Sequence, residues 1–439
     1  MSSLILINPC IFDFAAFDLW SKPFGLLTIA GHLRAHGYDV KLIDCMDRSG
    51  TKSSLYGTGK FQREILPSPE KLSHIKRNYA RYGIAAQAIA EKLKLIKNPS
   101  AIMVTSHMTY WYPGVQETIK TARLVHPDVP VILGGTYVKL CCAHAKENSG
   151  ADLISDSGNI EEIISMLKGI GVYPSGEAIT DGCIYPAMDL VKNPGYAVIM
   201  SSVGCPFDCC YCASSFLSPP YKRRNPQEAV KEILHWHNSL GVTDFAFYDD
   251  ALLIDSNQHA VPIFEGILSH GLNIRLHTPN AVHAREISFG LAHIMKRAGM
   301  KTIRLGFETA DHNRIDKKIN TEDFLTAAGV LHEAGFSREE LGAYILAGLP
   351  DQTPESVETA LRLCEKAEIQ PFLAEYSPLP HTALWEKAVK SSGYDIENEP
   401  LFHNNTLLPC WNDKQRRRMP ELKDLAVSIR IRVKQGRTW

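Results

Sequence analysis

Four of the eleven cysteines in this 439-residue sequence fall within eight consecutive positions. They are Cys205, Cys209, Cys210 and Cys212, in the segment GCPFDCCYC. Disulfides are rare in a reducing compartment, so clustered thiols there are more often metal ligands or redox groups. The type and the spacing of these residues therefore point to metal or redox chemistry.

The spacing limits the kinds of metal or redox site that these cysteines could form, but it leaves three kinds open. Cys205, Cys209 and Cys212 form a C-x3-C-x2-C pattern, with Cys210 as an extra thiol. Structural zinc needs four ligands, and Cys183 is the single nearby candidate for the fourth. A thioredoxin-like C-x-x-C made by Cys209 and Cys212 would leave Cys205 without a role. A cubane iron–sulfur cluster normally takes four cysteines, so a loop offering three leaves one iron open to an external ligand.

Polar residues also stand at the ends of the apolar runs that follow the cysteines. The carboxyl ends of strands are where the active site of a (β/α) barrel lies. The acidic members have an ordinary alternative as helix caps or solvated strand ends. These acidic residues are Asp249, Asp250 and Glu308.

The elements that must position these residues alternate between strand and helix. From residue 197 to 381, six short apolar runs are each followed by a polar or helix-period segment, as in a partial (β/α)6 barrel of the TIM type. Helices are predicted near residues 226–239, 258–269, 289–298, 321–334 and 354–367. Residues 382–439 are predicted to form a polar helical extension.

Residues 1–172 show a separate α/β alternation. The runs SLILINP, DVKLID, AIMVTSH, VPVILGG and ADLISD are typical of buried parallel strands, which predicts an open, doubly wound, Rossmann-like domain. Such sheets bind ligands at the carboxyl ends of their strands. An insertion over about residues 48–95 is predicted to be partly helical, and residues 173–196, rich in Pro and Gly, are predicted to be a linker.

The cysteine motif, placed on the loop after the first strand of a partial barrel, resembles the signature of the radical S-adenosylmethionine superfamily. The resemblance implies that Cys205, Cys209 and Cys212 hold a four-iron, four-sulfur (4Fe-4S) cluster whose open iron is chelated by S-adenosylmethionine. It also implies that Tyr211 lies near the adenine of that cofactor. Cys210 falls at a variable position and is interpreted as a packed thiol.

The resemblance extends along the later strands. The segment EYSPLPHTALW is similar to the PGT segment that closes these barrels, except that His381 replaces the usual glycine. The implied contacts to S-adenosylmethionine are Tyr248, Asp249 and Asp250 near the methionine amino group, His277 and Asn280 facing the same cavity, Glu308 toward the ribose, and Gly348 beside the adenine.

An α/β domain ahead of such a barrel resembles the cobalamin-binding (B12-binding) members of the superfamily. By that resemblance the loops after Asn8, Ser106 and Gly134 surround a corrin ring, and Gly134 and Gly135 let the nucleotide tail pass close to the backbone. The D-x-H-x-x-G motif that supplies a histidine to cobalt is absent, so cobalamin here would lack that axial ligand. The alternative is a degenerate domain that binds no cobalamin and only caps the barrel.

Together these features predict a radical S-adenosylmethionine enzyme that cleaves S-adenosylmethionine reductively to a 5′-deoxyadenosyl radical. With cobalamin it would carry out methyl transfer or a rearrangement, as a cyclase or mutase does, at an unactivated carbon. Alternatives are the same radical enzyme without cobalamin, a non-catalytic iron–sulfur electron-transfer protein and a zinc-stabilised binding module. The expected partners are a small-molecule or peptide substrate and an electron donor such as a flavodoxin or ferredoxin.

Composition limits the remaining classes. The net charge of −1 disfavours a general affinity for nucleic acid, although residues 414–437 carry nine basic and two acidic side chains. A solvated helix face is the favoured interpretation of that basic segment. Because no apolar run approaches the roughly 20 residues of a membrane span and no basic leader opens the chain, we expect a cytoplasmic protein.

Overall fold

The computed structural model describes residues 3–178, 183–311 and 319–436. The chain divides into two compact units. Unit 1 comprises Met1–Gly195 together with Asn398–His403, and unit 2 comprises Tyr196–Glu397 together with Asn404–Trp439. Residues 183–195, within the predicted linker, therefore fall inside unit 1. Their Ala187 N–H donates to the carbonyl of Leu27 at 2.9 Å, so this stretch packs on the body of the unit.

Unit 1 is built on a five-stranded parallel sheet, as predicted. Its strands are β1 Ser3–Asn8, β2 Asp39–Asp44, β3 Ala101–Val104, β4 Val131–Gly134 and β5 Leu153–Ser155. Their spatial order is β5-β4-β3-β1-β2. Chain order thus reverses between β1 and β3, which is the switch point where doubly wound sheets bind ligands. The helices are α1 Phe24–Ala35, α2 Ala86–Leu95, α3 Tyr112–Val125, α4 Thr136–Leu140, α5 Cys142–Asn148 and α6 Ile160–Gly169.

The apolar run of β1 is buried on both faces of this sheet. Ile5 and Ile7 belong to one core cluster, which includes residues of α2 and α3. Leu4 and Leu6 belong to a second cluster, which includes residues of α1 and α6. Because side chains alternate along a strand, a continuous apolar run supplies both layers. Each fully buried Leu or Ile stabilises the fold by about 1.5–3 kcal/mol relative to an exposed one.

The insertion differs from its prediction as a partly helical segment. It does contain α2, but a three-stranded antiparallel sheet dominates it, with Tyr79–Tyr82 between Ile11–Asp13 and Arg63–Leu66. The central strand, YARY, is buried at all four positions and packs into a small apolar cluster around Phe61. Aromatic residues fit a pleated, half-buried surface well, which explains why this segment forms strand rather than helix.

Unit 2 is an open six-stranded parallel sheet, in agreement with the predicted α/β class. Its strands are β6 Ala197–Ile199, β7 Asp244–Phe247, β8 Arg275–His277, β9 Met300–Glu308, β10 Leu341–Ala347 and β11 Gln370–Glu375, and they neighbour one another in chain order. The helices are α7 Ser214–Leu217, α8 Pro226–Leu240, α9 Ala260–Ser269, α10 Phe289–Arg297, α11 Thr321–Glu333, α12 Pro354–Lys366, α13 Trp385–Ser391, α14 Asp413–Arg416 and α15 Met419–Gln435.

Local signals set the ends of these helices. Helix α8 begins after Asn225, whose side chain accepts a hydrogen bond from the Gln227 amide, and Pro226 occupies its first turn. It ends at Gly241, which adopts a left-handed conformation. Asparagine caps, first-turn prolines and terminal glycines are the standard boundaries of a helix. They explain why the helix positions could be predicted closely.

The C-terminal residues differ from the predicted polar extension. Helix α15 buries Met419, Leu422, Ala426, Ile429 and Val433, and it packs against α12 and β11. Several of its basic side chains have partners inside the unit. Arg432 Nε donates to Glu365 Oε1 at 2.5 Å, and Arg430 Nη1 donates to the Pro371 carbonyl at 3.0 Å. Across the part of the chain that the structure describes, no helix combines the length and the apolar character needed to cross a membrane.

Candidate active site

The cysteines lie on one loop, Gly204 to Ala213, which we call the cysteine loop. It follows β6. In the chain it lies between the two short strands of an antiparallel pair, Ser202–Val203 and Lys222–Arg223. Gly204 has a φ of 75°, and a Cβ at this position would lie 2.4 Å from the carbonyl oxygen of Pro219. Only glycine accommodates both the left-handed backbone and this close approach. The loop is therefore held tightly at its base.

The thiols of this loop form a donor set suited to soft metals. Cys205, Cys209 and Cys212 are half-buried and carry no disulfide. Among the described residues, no group of three or more His, Cys, Asp or Glu side chains is placed so that it could hold a metal ion. Zinc ligands meet around one ion, whereas cysteines that bind a cubane cluster reach separate irons. The donor chemistry of the three thiols therefore fits an iron–sulfur cluster, with zinc as the alternative.

The segment that closes the unit contacts the cysteine loop directly. The Leu384 amide donates to the carbonyl of Cys210 at 2.9 Å. His381 has a φ of 66°, so the left-handed conformation that glycine favours is present here with a histidine. Its ring stacks on Phe216, with centroids 3.9 Å apart. The backbone of Cys210 thus has a defined role, and its thiol is half-buried.

Asp249 follows β7 and is directed into the protein. It is 3% exposed, and its carboxylate accepts hydrogen bonds from Ser201 N at 3.1 Å, Ser201 Oγ at 2.7 Å and Ser202 Oγ at 2.7 Å. Burial raises the pKa of this carboxyl group. We predicted a contact to the methionine amino group, but the donors around Asp249 come from the two serines that precede the cysteine loop.

The neighbouring residues at the end of β7 are more open. Asp250 Oδ2 accepts a hydrogen bond from Ser214 Oγ at 2.9 Å, and burial raises the pKa of its carboxyl group. The carbonyl of Tyr248 accepts a hydrogen bond from Asn280 Nδ2 at 2.7 Å. Tyr248, Asp250 and Asn280 are half-buried, so the structure brings these three predicted residues together at the ends of β7 and β8.

His277 ends β8, as predicted, and is bonded within the protein. Its ring is fully buried, with Nε2 3.1 Å from Asp244 Oδ1 and Nδ1 3.0 Å from Thr302 Oγ1. Arg275 shares Asp244 through a 2.7 Å hydrogen bond. Burial lowers the pKa of His277. Both ring nitrogens have partners within the sheet, and the place of His277 facing the cofactor cavity stays a prediction.

Glu308 and Gly348 stand at the ends of β9 and β10. Glu308 has a φ of 60° and is 7% exposed, next to a register shift between Gly306 and Glu308. Left-handed non-glycine residues store strain and are enriched at functional sites. Gly348 has a φ of 101°, its amide donates to Gln352 Oε1 at 2.9 Å, and a Cβ there would lie 2.9 Å from Leu408 Cδ2. The backbone conformation at position 348 therefore favours glycine, whether or not a cofactor binds there.

The switch point of unit 1 carries a buried polar network. Asn8, at the end of β1, is 2% exposed; its Nδ2 donates to Asp44 Oδ1 at 2.7 Å, and its Oδ1 lies 3.2 Å from His107 Nε2. Burial raises the pKa of Asp44 and lowers that of His107 to about 4. A neutral His107 donates this bond from Nε2. The network joins the carboxyl ends of β2 and β1 to the segment after β3.

Ser106 contacts both Gly134 and Gly135. Ser106 Oγ donates to the Gly134 carbonyl at 2.7 Å. Gly135 has a φ of 101°, and a Cβ there would lie 2.3 Å from the Ser106 carbonyl oxygen. At Gly134 the nearest such atom, the Ser155 carbonyl oxygen, is 3.4 Å away. The close approach at Gly135 is thus made by the protein's own backbone, and the passage of a nucleotide tail beside Gly134 and Gly135 stays a prediction.

A cavity of about 390 Å³ opens beside the end of β2. Asp44 lines it, so the cavity adjoins the polar network of Asn8. Arg48 forms part of its wall and binds Asp18 at 2.9 Å and the Gly57 carbonyl at 2.6 Å. Burial lowers the pKa of the Lys22 ammonium group on the same wall. Sequence analysis missed this cavity because its walls come from segments far apart in the chain.

Sequence analysis also missed the serines around the cysteine motif. Ser201 and Ser202 precede it, and Ser214 follows it. The Ser214 amide donates to Cys212 Sγ at 3.4 Å. The sequence does show serines on both sides of the motif, in SSVGC and CASS. It also shows two aspartates, in YDD, at the end of the next predicted strand, and these could have been matched to the serines.

Comparison with known proteins finds a family model that matches part of this chain, and several relatives. The radical SAM superfamily model matches residues 199–364. An uncharacterized methyltransferase of Pyrococcus horikoshii is 28% identical over 390 residues, 84% of this chain and 79% of that protein. The anaerobic magnesium-protoporphyrin IX monomethyl ester cyclase of Synechocystis is 25% identical over 325 residues, 68% of this chain and 60% of the cyclase.

A solved structure shares the fold of the chain. The radical S-adenosylmethionine methyltransferase TsrM from Kitasatospora setae, with cobalamin and a four-iron, four-sulfur cluster bound, aligns with a TM-score of 0.65 at 14% identity. The alignment covers 90% of this chain and 80% of that one. The matched family model spans β6 to α12, which includes the cysteine loop and both aspartates at the end of β7. Residues 199–364 of this chain therefore match the radical S-adenosylmethionine superfamily.

Proposed function

We propose that this protein is a radical S-adenosylmethionine enzyme that also uses cobalamin, and that it transfers a methyl group to an unactivated carbon. The observation that carries the first part is the three-thiol loop that follows the first strand of an open parallel sheet. The methyl transfer rests on relatives, which include the methyltransferase of Pyrococcus horikoshii and the hopanoid C-3 methylase of Methylococcus capsulatus. A cyclisation or rearrangement is the second candidate, because a cyclase is also similar.

In this proposal Cys205, Cys209 and Cys212 hold three irons of a four-iron, four-sulfur cluster. Bound together, the cluster and S-adenosylmethionine supply a 5′-deoxyadenosyl radical. The chain's own part is to fix the thiols and to exclude water. Gly204 keeps the base of the loop closed, and Leu384 holds the loop at the Cys210 carbonyl. Rigid support of this kind keeps the ligands of a metal site in position.

We propose that S-adenosylmethionine lies along the carboxyl ends of the strands of unit 2. Asp249 and His277 are left out of this set because their polar atoms are engaged within the protein. No side chain of this chain is assigned a role as general base, because abstraction of a hydrogen atom needs none. The proposed contacts are Tyr211, Tyr248, Asp250, Asn280, Glu308 and Gly348.

We propose that cobalamin binds at the switch point of unit 1. Its support is the β5-β4-β3-β1-β2 order, the polar network of Asn8 at the β1–β3 crevice and the adjoining cavity. The fold-sharing enzyme TsrM was solved with cobalamin bound. Asn8, Ser106 and Gly134 would border the site. His107 Nε2 is directed to Asn8, so the proposal includes no histidine ligand to cobalt.

The electron that the reaction needs would come from a donor such as a flavodoxin or ferredoxin. The proposal places the protein in the cytoplasm, where such donors and reduced thiols coexist. The substrate is a small molecule or a peptide. If the protein contains no corrinoid but still forms 5′-deoxyadenosine, that result would support the proposed radical chemistry and contradict the proposed use of cobalamin.

Anaerobic purification followed by iron and sulfide analysis tests the cluster. The wild type should carry about four irons per chain, and Ala at Cys205, Cys209 or Cys212 should abolish the brown colour. Cys210→Ala is the matched control, because it removes a thiol from the same loop and should keep the cluster. Stoichiometric zinc without iron would contradict the proposal.

Product analysis tests the chemistry. With reductant and S-adenosylmethionine, the wild type should form 5′-deoxyadenosine, detected by mass spectrometry. Growth with cobalamin followed by extraction tests unit 1, and retained corrinoid is the expected result. A cluster that never cleaves S-adenosylmethionine would instead support an electron-transfer protein.

A further inference from the structure

We propose that Asp249 and Asp250 are positioning residues that hold the two stems of the cysteine loop, one stem each. The inference rests on the proposed function, in that the loop between the stems is taken to bind the cluster. We define the leading stem as Ser201–Val203 and the trailing stem as Ser214–Leu217. The two aspartates follow β7 after Tyr248, so one strand end would fix the spacing of both stems.

The leading stem is held by Asp249. Its carboxylate accepts three hydrogen bonds, two from Ser201 and one from Ser202, at 2.7–3.1 Å. All three residues are buried, with Ser201 at 0% and Ser202 at 1% exposure. A carboxylate engaged by three donors in a buried setting is oriented firmly, because each lost bond would leave a polar group without water. Cys205 lies three residues beyond this anchor.

A histidine extends the same network. His259, on the turn before α9, is fully buried, and its Nε2 lies 2.9 Å from Ser201 Oγ. The single hydroxyl proton of Ser201 is donated to Asp249, so the hydrogen in the His259 bond must come from Nε2. A catalytic triad runs the other way, because its serine gives the proton to histidine. The direction of the bonds and the burial of all three side chains mark a structural anchor rather than a nucleophile.

The trailing stem is held by Asp250. Its Oδ2 accepts a hydrogen bond from Ser214 Oγ at 2.9 Å, and the amide of the same serine donates to Cys212 Sγ at 3.4 Å. Ser214 is thus fixed through its side chain while its backbone reaches a thiol proposed to bind iron. Hydrogen bonds to cluster sulfurs set the reduction potential, and supports of this kind affect metal affinity strongly.

The two bonds assign different tasks to neighbouring carboxylates. Asp249 would determine where the chain enters the loop, and Asp250 would determine the surroundings of the last cysteine. Removing Asp250 should therefore change the cluster itself, whereas removing Asp249 should loosen the leading stem even in protein without a cluster. The two effects can be measured separately.

Hydrogen exchange of the cluster-free protein tests the stems directly. Asp249→Asn should speed the exchange of amides in residues 200–206, and Asp250→Ala should speed it in residues 212–217. Ser215→Ala is the matched control, because Ser215 is exposed and lies beside Ser214. If both aspartate variants exchange amide hydrogens at the wild-type rate in residues 200–206 and 212–217, the inference is overturned, whatever the protein binds.

The reconstituted protein tests the cluster. Asp250→Ala and Ser214→Ala should release iron to a chelator about tenfold faster than wild type and shift the reduction potential to more negative values. Asp250→Asn, which keeps an oxygen acceptor for Ser214, should restore much of both properties. The double variant should be no worse than either single one, because both remove the same bond.

The outcomes separate the two proposals. Suppose that the wild type holds its cluster, and that Asp250→Ala and Ser214→Ala leave both the rate of iron release and the reduction potential unchanged. That result would overturn the role of Asp250 and leave the proposed function standing. A wild type that takes up no iron would overturn the proposed function, and the role of these residues toward a cluster with it. Asp249→Asn is preferred to Asp249→Ala because the amide keeps the volume of the buried side chain.

Discussion

The ring of His381 lies parallel to that of Phe216, with the two centroids 3.9 Å apart and the planes inclined by 8°. His381 belongs to the segment that closes unit 2, and Phe216 belongs to the helix that follows the cysteines. The pair therefore links these two segments in addition to the hydrogen bond from Leu384 to Cys210. Position 381 also has the left-handed backbone that glycine adopts more readily.

These two properties predict an unusual order of stabilities. His381→Ala loses the stack and keeps the backbone strain, so the free energy of unfolding should fall by about 1 kcal/mol. His381→Gly also loses the stack but relieves the left-handed backbone, which should recover about 1 kcal/mol. Urea unfolding of both variants measures this, with Phe216→Ala and the double variant closing a mutant cycle. A glycine variant less stable than the alanine variant would contradict the explanation.

A second prediction concerns the stability of unit 1 toward acid. Burial lowers the pKa of His107 to about 4, so the folded protein holds this ring neutral where the unfolded chain, with a pKa near 6.5, begins to protonate. The stabilisation is complete above about pH 6.5 and is lost as the pH falls toward 4. It should amount to about 2 kcal/mol between pH 6.5 and pH 5.

Unfolding by urea at pH 7, 6 and 5 checks this sign. His107→Gln keeps a donor for Asn8 but cannot take up the proton, so its free energy of unfolding should depend less on pH than that of the wild type. Parallel pH profiles for the two proteins would show that His107 is not the group that titrates. Buried His259 and His277 contribute to both profiles equally and leave the comparison intact.

Much of the fold could be predicted because its signals are local. The five apolar runs of unit 1 became β1 to β5, and the five helices predicted between the strands of unit 2, α8 to α12, lie within about two residues of their predicted positions. The three-cysteine motif was equally local: its spacing indicated metal or redox chemistry, and the resemblance to the superfamily implied the cluster. Caps, prolines and alternating apolar runs act over a few residues, so a sequence displays them directly.

The direction of individual side chains could not be predicted in the same way. His277 ends β8, but it turns to Asp244 and Thr302, whose positions depend on the neighbouring strands. Asp249 and Asp250 are adjacent, yet they hold opposite ends of the cysteine loop. Successive residues at a strand end point in different directions, so an error of one position exchanges an internal anchor for a cavity residue.

The last prediction concerns α15, which the sequence presented as part of a polar extension. Ile429 is 0% exposed and Ile431 is 52% exposed, although they lie two residues apart on the same helix. Truncating a buried isoleucine removes its transfer free energy and leaves a cavity, so Ile429→Ala should lower the free energy of unfolding by about 3 kcal/mol. Ile431→Ala should change it by less than about 0.5 kcal/mol. Chemical unfolding followed by circular dichroism compares the two variants at matched helix propensity. Equal, small effects would mean that α15 is a solvated appendage after all, whereas a large difference would establish it as a packed element that covers the last strand of the sheet.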